Sequence, residues 1–74
     1  MLVRVGKMPG QIVTVALDNQ ACTVKDALAI GGPNGTALDS TGFEPRVNNI
    51  KVTPDTRLNE DDILLLVQEV KLND

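Results

Sequence analysis

Val47-Asn48-Asn49-Ile50-Lys51-Val52-Thr53-Pro54-Asp55-Thr56-Arg57-Leu58-Asn59-Glu60-Asp61-Asp62-Ile63-Leu64-Leu65-Leu66-Val67-Gln68-Glu69-Val70 is the stretch that decides the architecture of this chain. Asn48-Asn49 lies between the β-prone segments Pro45–Val47 and Ile50–Val52. Asparagine tolerates the left-handed backbone that a two-residue turn requires, so a short hairpin is expected there. Thr53-Pro54-Asp55-Thr56 reads as a further turn and Asn59-Glu60-Asp61-Asp62 as a polar corner. Ile63 to Val70 is then apolar on both faces of an alternating strand, the pattern of a strand with neighbours on either side.

Working outward towards the N-terminus, residues 31–44 are rich in Gly, Asn, Ser, Thr and Pro and are expected to form a long loop, with a single helical turn at Thr36 to Asp39. Before them, Thr23-Val24-Lys25-Asp26 has the features of a helix start, a hydroxyl to accept an amide hydrogen bond and an acid in the first turn. The helix should bury Val24, Ala27 and Leu28 and end near Ile30, with Gly31-Gly32-Pro33 supplying a left-handed cap and a stop. Residues 2–17 read as a β-hairpin around Met8-Pro9-Gly10-Gln11. The order is strand, strand, helix, strand, strand, strand, an α+β arrangement of one helix on one face of a mixed sheet of four to five strands.

The chain has 74 residues, a length that suits one small domain spanning 1–74, and its 42% hydrophobic content is that of a globular chain rather than a disordered one. Phe43 is the single aromatic residue, so the core must be aliphatic and no stacking platform for bases exists. The seven basic residues are dispersed and the net charge is −3, which argues against nucleic acid as a partner. No apolar run approaches the roughly 18 residues of a membrane span, and the N-terminus lacks a signal pattern, so no membrane partner and a cytoplasmic location are expected. Histidine is absent and Cys22 is the sole cysteine, which removes the commonest general base and any internal disulfide.

Three segments resemble the ubiquitin-like β-grasp family of the thiamine sulfur-carrier protein and the molybdopterin synthase small subunit. Thr23-Val24-Lys25-Asp26-Ala27-Leu28 is similar to that family's Thr-Val-x-x-Leu-Leu helix start, and Val47-Asn48-Asn49 to its Val-Asn-Gly turn. Leu58-Asn59-Glu60-Asp61-Asp62 with Val67-Gln68 is similar to its Leu-Asn-Glu-Gly-Asp turn and final strand. The resemblance covers the chain except residues 31–44 and implies the β-grasp fold. Asp61 stands where the family prefers Gly, which requires Asp61 to adopt a left-handed backbone. The family's chemistry uses a terminal Gly-Gly carboxylate that is adenylated and converted to a thiocarboxylate. Leu72-Asn73-Asp74 stands at that end here, so sulfur transfer by this route is not expected.

Strand parity assigns Val3, Val5, Val13, Val15, Leu17, Leu64 and Leu66 to the helix-facing side of the sheet. Leu2, Arg4, Ile12, Ile63, Leu65 and Val67 then fall on the open side, joined by Ala16, as a candidate protein-binding surface, because contiguous exposed apolar patches mark interaction sites. The competing expectation is that the 31–44 loop folds over this patch. Three functional readings follow. The first is a non-catalytic ubiquitin-like adaptor or inhibitor that binds a protein partner through the open face or an edge strand. The second is a sulfur-carrier or conjugation-related protein with an altered tail. The third is a homo-oligomeric structural module, of a size suited to a phage-encoded protein.

No enzyme activity, cofactor or metal is expected. Glu60-Asp61-Asp62 lacks the alternating oxygen-ligand spacing of a calcium loop and is expected to be a solvated corner. Cys22 has no histidine to activate it and is expected to be a buried or loop thiol.

Overall fold

The structure, a computed structural model, describes residues 1–8 and 10–68. Pro9 of the first turn, the end of the last strand up to Val70, and Leu72-Asn73-Asp74 lie outside the described residues. The elements run β1 (Leu2–Met8), β2 (Ile12–Ala16), α1 (Val24–Ile30), a short 3-10 element (Pro33–Gly35), β3 (Phe43–Val47), β4 (Ile50–Lys51) and β5 (Ile63–Gln68). They form a five-stranded sheet in the order β2-β1-β5-β3-β4. β1 runs parallel to β5, and the other neighbours are antiparallel. The most apolar segment, β5, is thereby central, as its two apolar faces require.

The core lies between α1 and one face of the sheet. Val3, Val5, Val15, Leu17, Cys22, Val24, Ala27, Leu58 and Leu64 form one buried cluster. Val24 and Ala27 come from successive turns of α1, and Leu28 and Ile30 pack at the margin. The helix begins with a reciprocal cap. The Asp26 N–H donates to Thr23 Oγ1 at 3.3 Å, and the Thr23 N–H donates to Asp26 Oδ2 at 3.1 Å. The Thr23 N–H bond, the largest cause, and a 2.8 Å bond donated by Thr23 Oγ1 to Asp26 Oδ2 hold the Asp26 carboxyl below its ordinary value of 3.8.

Several local expectations are corrected. Gly31 ends α1 with φ −83 and ψ −3, a right-handed conformation and not a left-handed cap. Glycine is required there by packing, because a Cβ would stand 2.7 Å from Val5 Cγ1 and 3.0 Å from the Ala27 carbonyl oxygen. The helical turn in the connecting segment falls at Pro33–Gly35 and not at Thr36 to Asp39, since Asn34 takes φ 57 and lets the chain tighten immediately after Pro33. β3 starts at Phe43, two residues before the strand expected from Pro45, because Phe43 and Glu44 extend the pairing to Gln68 and Val67. The segment does not cover the open face: Leu38 packs on the core cluster, and its N–H donates to the Leu28 carbonyl at 2.7 Å.

Two turns show their sequence logic directly. Asn48 and Asn49 take φ 50 and 72, the left-handed pair of a two-residue hairpin. Asp61 takes φ 68, so the aspartate in the family's glycine position does occupy a left-handed conformation.

Candidate functional site

The open face follows from strand register. Arg4 pairs with Ile63, Gly6 with Leu65 and Met8 with Val67 across β1 and β5. Leu2 pairs with Ala16, Arg4 with Thr14 and Gly6 with Ile12 across β1 and β2. On the other flank Leu65 pairs with Arg46, Val67 with Glu44, and Arg46 with Lys51. One row, Ile12-Gly6-Leu65-Arg46-Lys51, therefore crosses all five strands, a span of about 19 Å at ordinary strand spacing.

Burial separates the two faces. Leu64 and Leu66 are fully buried, whereas Ile63, Leu65 and Val67 on the same strand are half-buried. Leu2 is 52% exposed and Ile12 48%, too open for core residues of a small domain. Arg4 is also exposed. All six residues that sequence parity assigned to a binding surface thus share one face, with Ile63, Leu65 and Val67 at its centre.

Gly6 explains the shape of the face. A Cβ there would stand 2.5 Å from the Gln11 carbonyl oxygen and 2.8 Å from both Cα and Cγ1 of Ile12. The missing side chain lets β2 approach closely and lets Ile12 lean over β1 towards Leu65. Beside it, Leu2, Val3, Arg4, Thr14 and Asp61 line a concavity of about 320 Å³. Its apolar floor and mixed-charge rim can receive one partner side chain and fix its orientation.

Sequence parity missed part of the face. Met8 is 46% exposed and adjoins Val67. Arg46 Nε donates to Glu44 Oε2 at 2.7 Å, and Lys51 Nζ stands 3.6 Å from Glu44 Oε1, making a charged margin along β3 and β4. The Arg46 hydrogen bond is the main cause that holds the Glu44 carboxyl below its ordinary value of 4.5, with Lys51 adding to it. The signal was present as the alternation Glu44-x-Arg46, but it fell where a loop was expected to end.

The side chains of Glu60, Asp62 and Cys22 have structural partners. Glu60 Oε2 accepts the Leu2 N–H at 2.7 Å. Asp62 Oδ2 accepts the Asn59 N–H at 2.7 Å, and its Oδ1 accepts Asn48 Nδ2 at 3.3 Å. The acids therefore tie the corner to β1 and to the hairpin turn, and no group of three metal-ligating side chains occurs among the described residues. Cys22 is buried, with Arg57 Nη2 3.4 Å from its Sγ and 2.9 Å from the Asn19 carbonyl oxygen, so Arg57 clamps the turn before α1. No helix among the described residues is long and apolar enough to cross a membrane.

Comparison with protein-family models and with curated proteins gives no match. Among solved structures, the crystal structure of SAMP1 from Haloferax volcanii matches with a TM-score of 0.66, covering 99% of this chain and 100% of that one at 17% identity. At that identity the likeness speaks for architecture alone, and together with the strand order and the single packed helix it shows that this chain has the ubiquitin-like β-grasp fold.

Proposed function

We propose that the chain is a non-catalytic, ubiquitin-like protein-binding module, an adaptor or inhibitor whose open sheet face docks a protein partner. The observation that supports this reading most is the half-buried apolar row Ile63, Leu65 and Val67 on the central strand, on the face opposite α1. Around it stand Leu2 and Ile12, with the Glu44-Arg46-Lys51 charges on one margin and Arg4 on the other. An apolar centre with a polar rim is the anatomy of a specific interface. The reading carries a cytoplasmic location with it.

The experiment is a pull-down followed by binding to the purified partner. Leu65→Asp puts a charge at the centre of the face, and a central contact of this kind costs about 2 kcal/mol or more, a loss of about 30-fold. Lys25→Glu, on an exposed position of α1, should leave binding unchanged. Equal loss in both variants, or in neither, contradicts the reading.

A second reading, a carrier or conjugation-related protein, draws support from the β-grasp fold and from the helix-start and corner motifs. Incubation with a ubiquitin-activating-type enzyme and ATP tests it. A mass shift for an adenylate or thiocarboxylate supports it, and an unchanged mass removes it.

A further inference from the structure

A second site lies on the helix side of the sheet, between the β1–β2 turn and the chain that follows α1, and it shares no residue with the open face. Lys7 has the parity of Val3 and Val5, so its side chain leaves β1 on the helix side. It pairs with Leu66 in register and is half-buried, and its Nζ stands 4.7 Å from the centre of the Phe43 ring. The ring face holds the ammonium without neutralising it. Asp39, an acid whose carboxyl feels the Lys7 charge, accepts the Thr41 N–H at 2.9 Å on Oδ1 and makes no ion pair with Lys7. The ammonium therefore has no counter-charge in contact among the described residues.

Beside Lys7 is a concavity of about 260 Å³, walled by Gln11, Val13 and Leu38 and floored by the buried backbone of Gly31 and Gly32. Its shape is set by the fold. The Gly32 N–H donates to the Thr36 carbonyl at 2.8 Å, and the bond from the Leu38 N–H to the Leu28 carbonyl fixes the Leu38 wall against the end of α1. A Cβ on Gly32 would stand 2.7 Å from the Ala37 carbonyl oxygen, so residues 36–38 close directly on this backbone. Among the described residues of the lining, Lys7 and Gln11 alone carry polar side chains.

We propose that this concavity binds a free straight-chain monocarboxylate, its carboxylate at Lys7 and its aliphatic chain against Val13, Leu38 and the two glycines. An unpaired, half-buried ammonium calls for an anion, and walls with few hydrogen-bonding side chains call for a hydrocarbon. The carbonyl end of α1 disfavours an anion, which sets the chain and not the carboxylate at Gly31 and Gly32. At a water's share of liquid volume, roughly 30 Å³, the space holds about eight heavy atoms, the number in hexanoate. A peptide end would bring amides to walls where Gln11 is the one neutral side chain able to bond them.

The probe is hexanoate, titrated into the full chain with amide and methyl shifts as readouts. Lys7, Val13, Gly32 and Leu38 should shift together, with a Kd of about 1 mM, in keeping with so small a ligand. Acetate, which keeps the charge and loses the chain, should bind about tenfold more weakly or worse, and hexylammonium should not bind. Lys7→Met keeps an apolar stem beside Phe43 and should weaken hexanoate about fivefold while leaving hexanol unchanged, and Lys7→Arg should restore hexanoate binding. Leu65→Asp should leave hexanoate binding intact, so failure here and failure at the open face are read separately. Equal affinity for acetate and hexanoate would reduce the site to a surface ion pair, and tighter binding of N-acetylleucine would make the occupant a peptide end. Shifts that rise with protein concentration alone would make it a second copy, and contacts to Leu38 from residues after Gln68 without ligand would make it the chain's own end. Each of these results overturns the proposal, as do Val13 and Leu38 methyls unmoved at about 50 mM hexanoate.

Discussion

Gly6→Ala is a small change with a calculable consequence. Gly6 lies inside β1, and the added methyl would stand 2.5 Å from the Gln11 carbonyl oxygen and 2.8 Å from Ile12 Cα. Both are backbone atoms, so a rotamer change cannot relieve the overlap, although Ile12 Cγ1, also at 2.8 Å, can swing away. β2 must move off β1 by several tenths of an ångström. Overpacking of this kind costs about 1–3 kcal/mol. Alanine reduces the freedom of the unfolded chain, which returns about 0.4–1 kcal/mol. The net loss is about 1–2 kcal/mol, and in a domain of this size that lowers Tm by about 5–15 °C. Thermal and urea unfolding measure it, and hydrogen exchange should rise at Val13 on β2 before it rises at Leu66 on β5. An unchanged or raised Tm would refute the reasoning, because alanine at an uncrowded strand position stabilises.

The other predictions concern the corner and the charged margin. Asp61→Gly should stabilise the fold by about 0.5 kcal/mol, since relief of the left-handed strain at φ 68 exceeds the added freedom of glycine in the unfolded chain; a lower Tm than wild type contradicts this. Glu44 has a folded-state pKa below 4.5, so its contribution is complete above that value and is lost as pH falls through the depressed one. Urea midpoints measured between about pH 6 and pH 3 should therefore fall less steeply in Glu44→Gln than in wild type, and identical acid profiles would show that the Arg46 and Lys51 pairing does not contribute.

The elements that depend on local chemistry were legible in the sequence. The apolar run that opens the segment from Ile63 to Val70 announced a central strand, seen as β5 over Ile63–Gln68, and Asn48-Asn49 announced its turn by tolerating φ 50 and 72. Thr23 and Asp26 announced the helix start for the same reason, since a capping box is complete within four residues. What was hidden depends on which strands become neighbours. Gly31 looks like a conformational cap but is a packing requirement set by Val5, which is distant in sequence. The polar composition of residues 31–44 set the expected strand start at Pro45, yet the strand begins at Phe43 and Pro45 sits within β3 opposite Leu66. Its carbonyl accepts the Val52 N–H at 3.1 Å and it has no N–H to return, so the pairing with β4 stops at Lys51 and Pro45 causes no clash. Parity grouped Leu2, Arg4, Ile12, Ile63, Leu65 and Val67 on one face. Glu44, Arg46 and Lys51 join them only because the order β2-β1-β5-β3-β4 sets Arg46 beside Leu65.

The most direct test of the open face as a docking surface is a hydrogen-exchange and methyl-shift footprint of the chain bound to its purified protein partner. The account predicts perturbation at Leu2, Ile12, Ile63, Leu65 and Val67, with α1 unaffected. A footprint on Val24–Ile30, with the Ile63, Leu65 and Val67 signals unmoved, would contradict it.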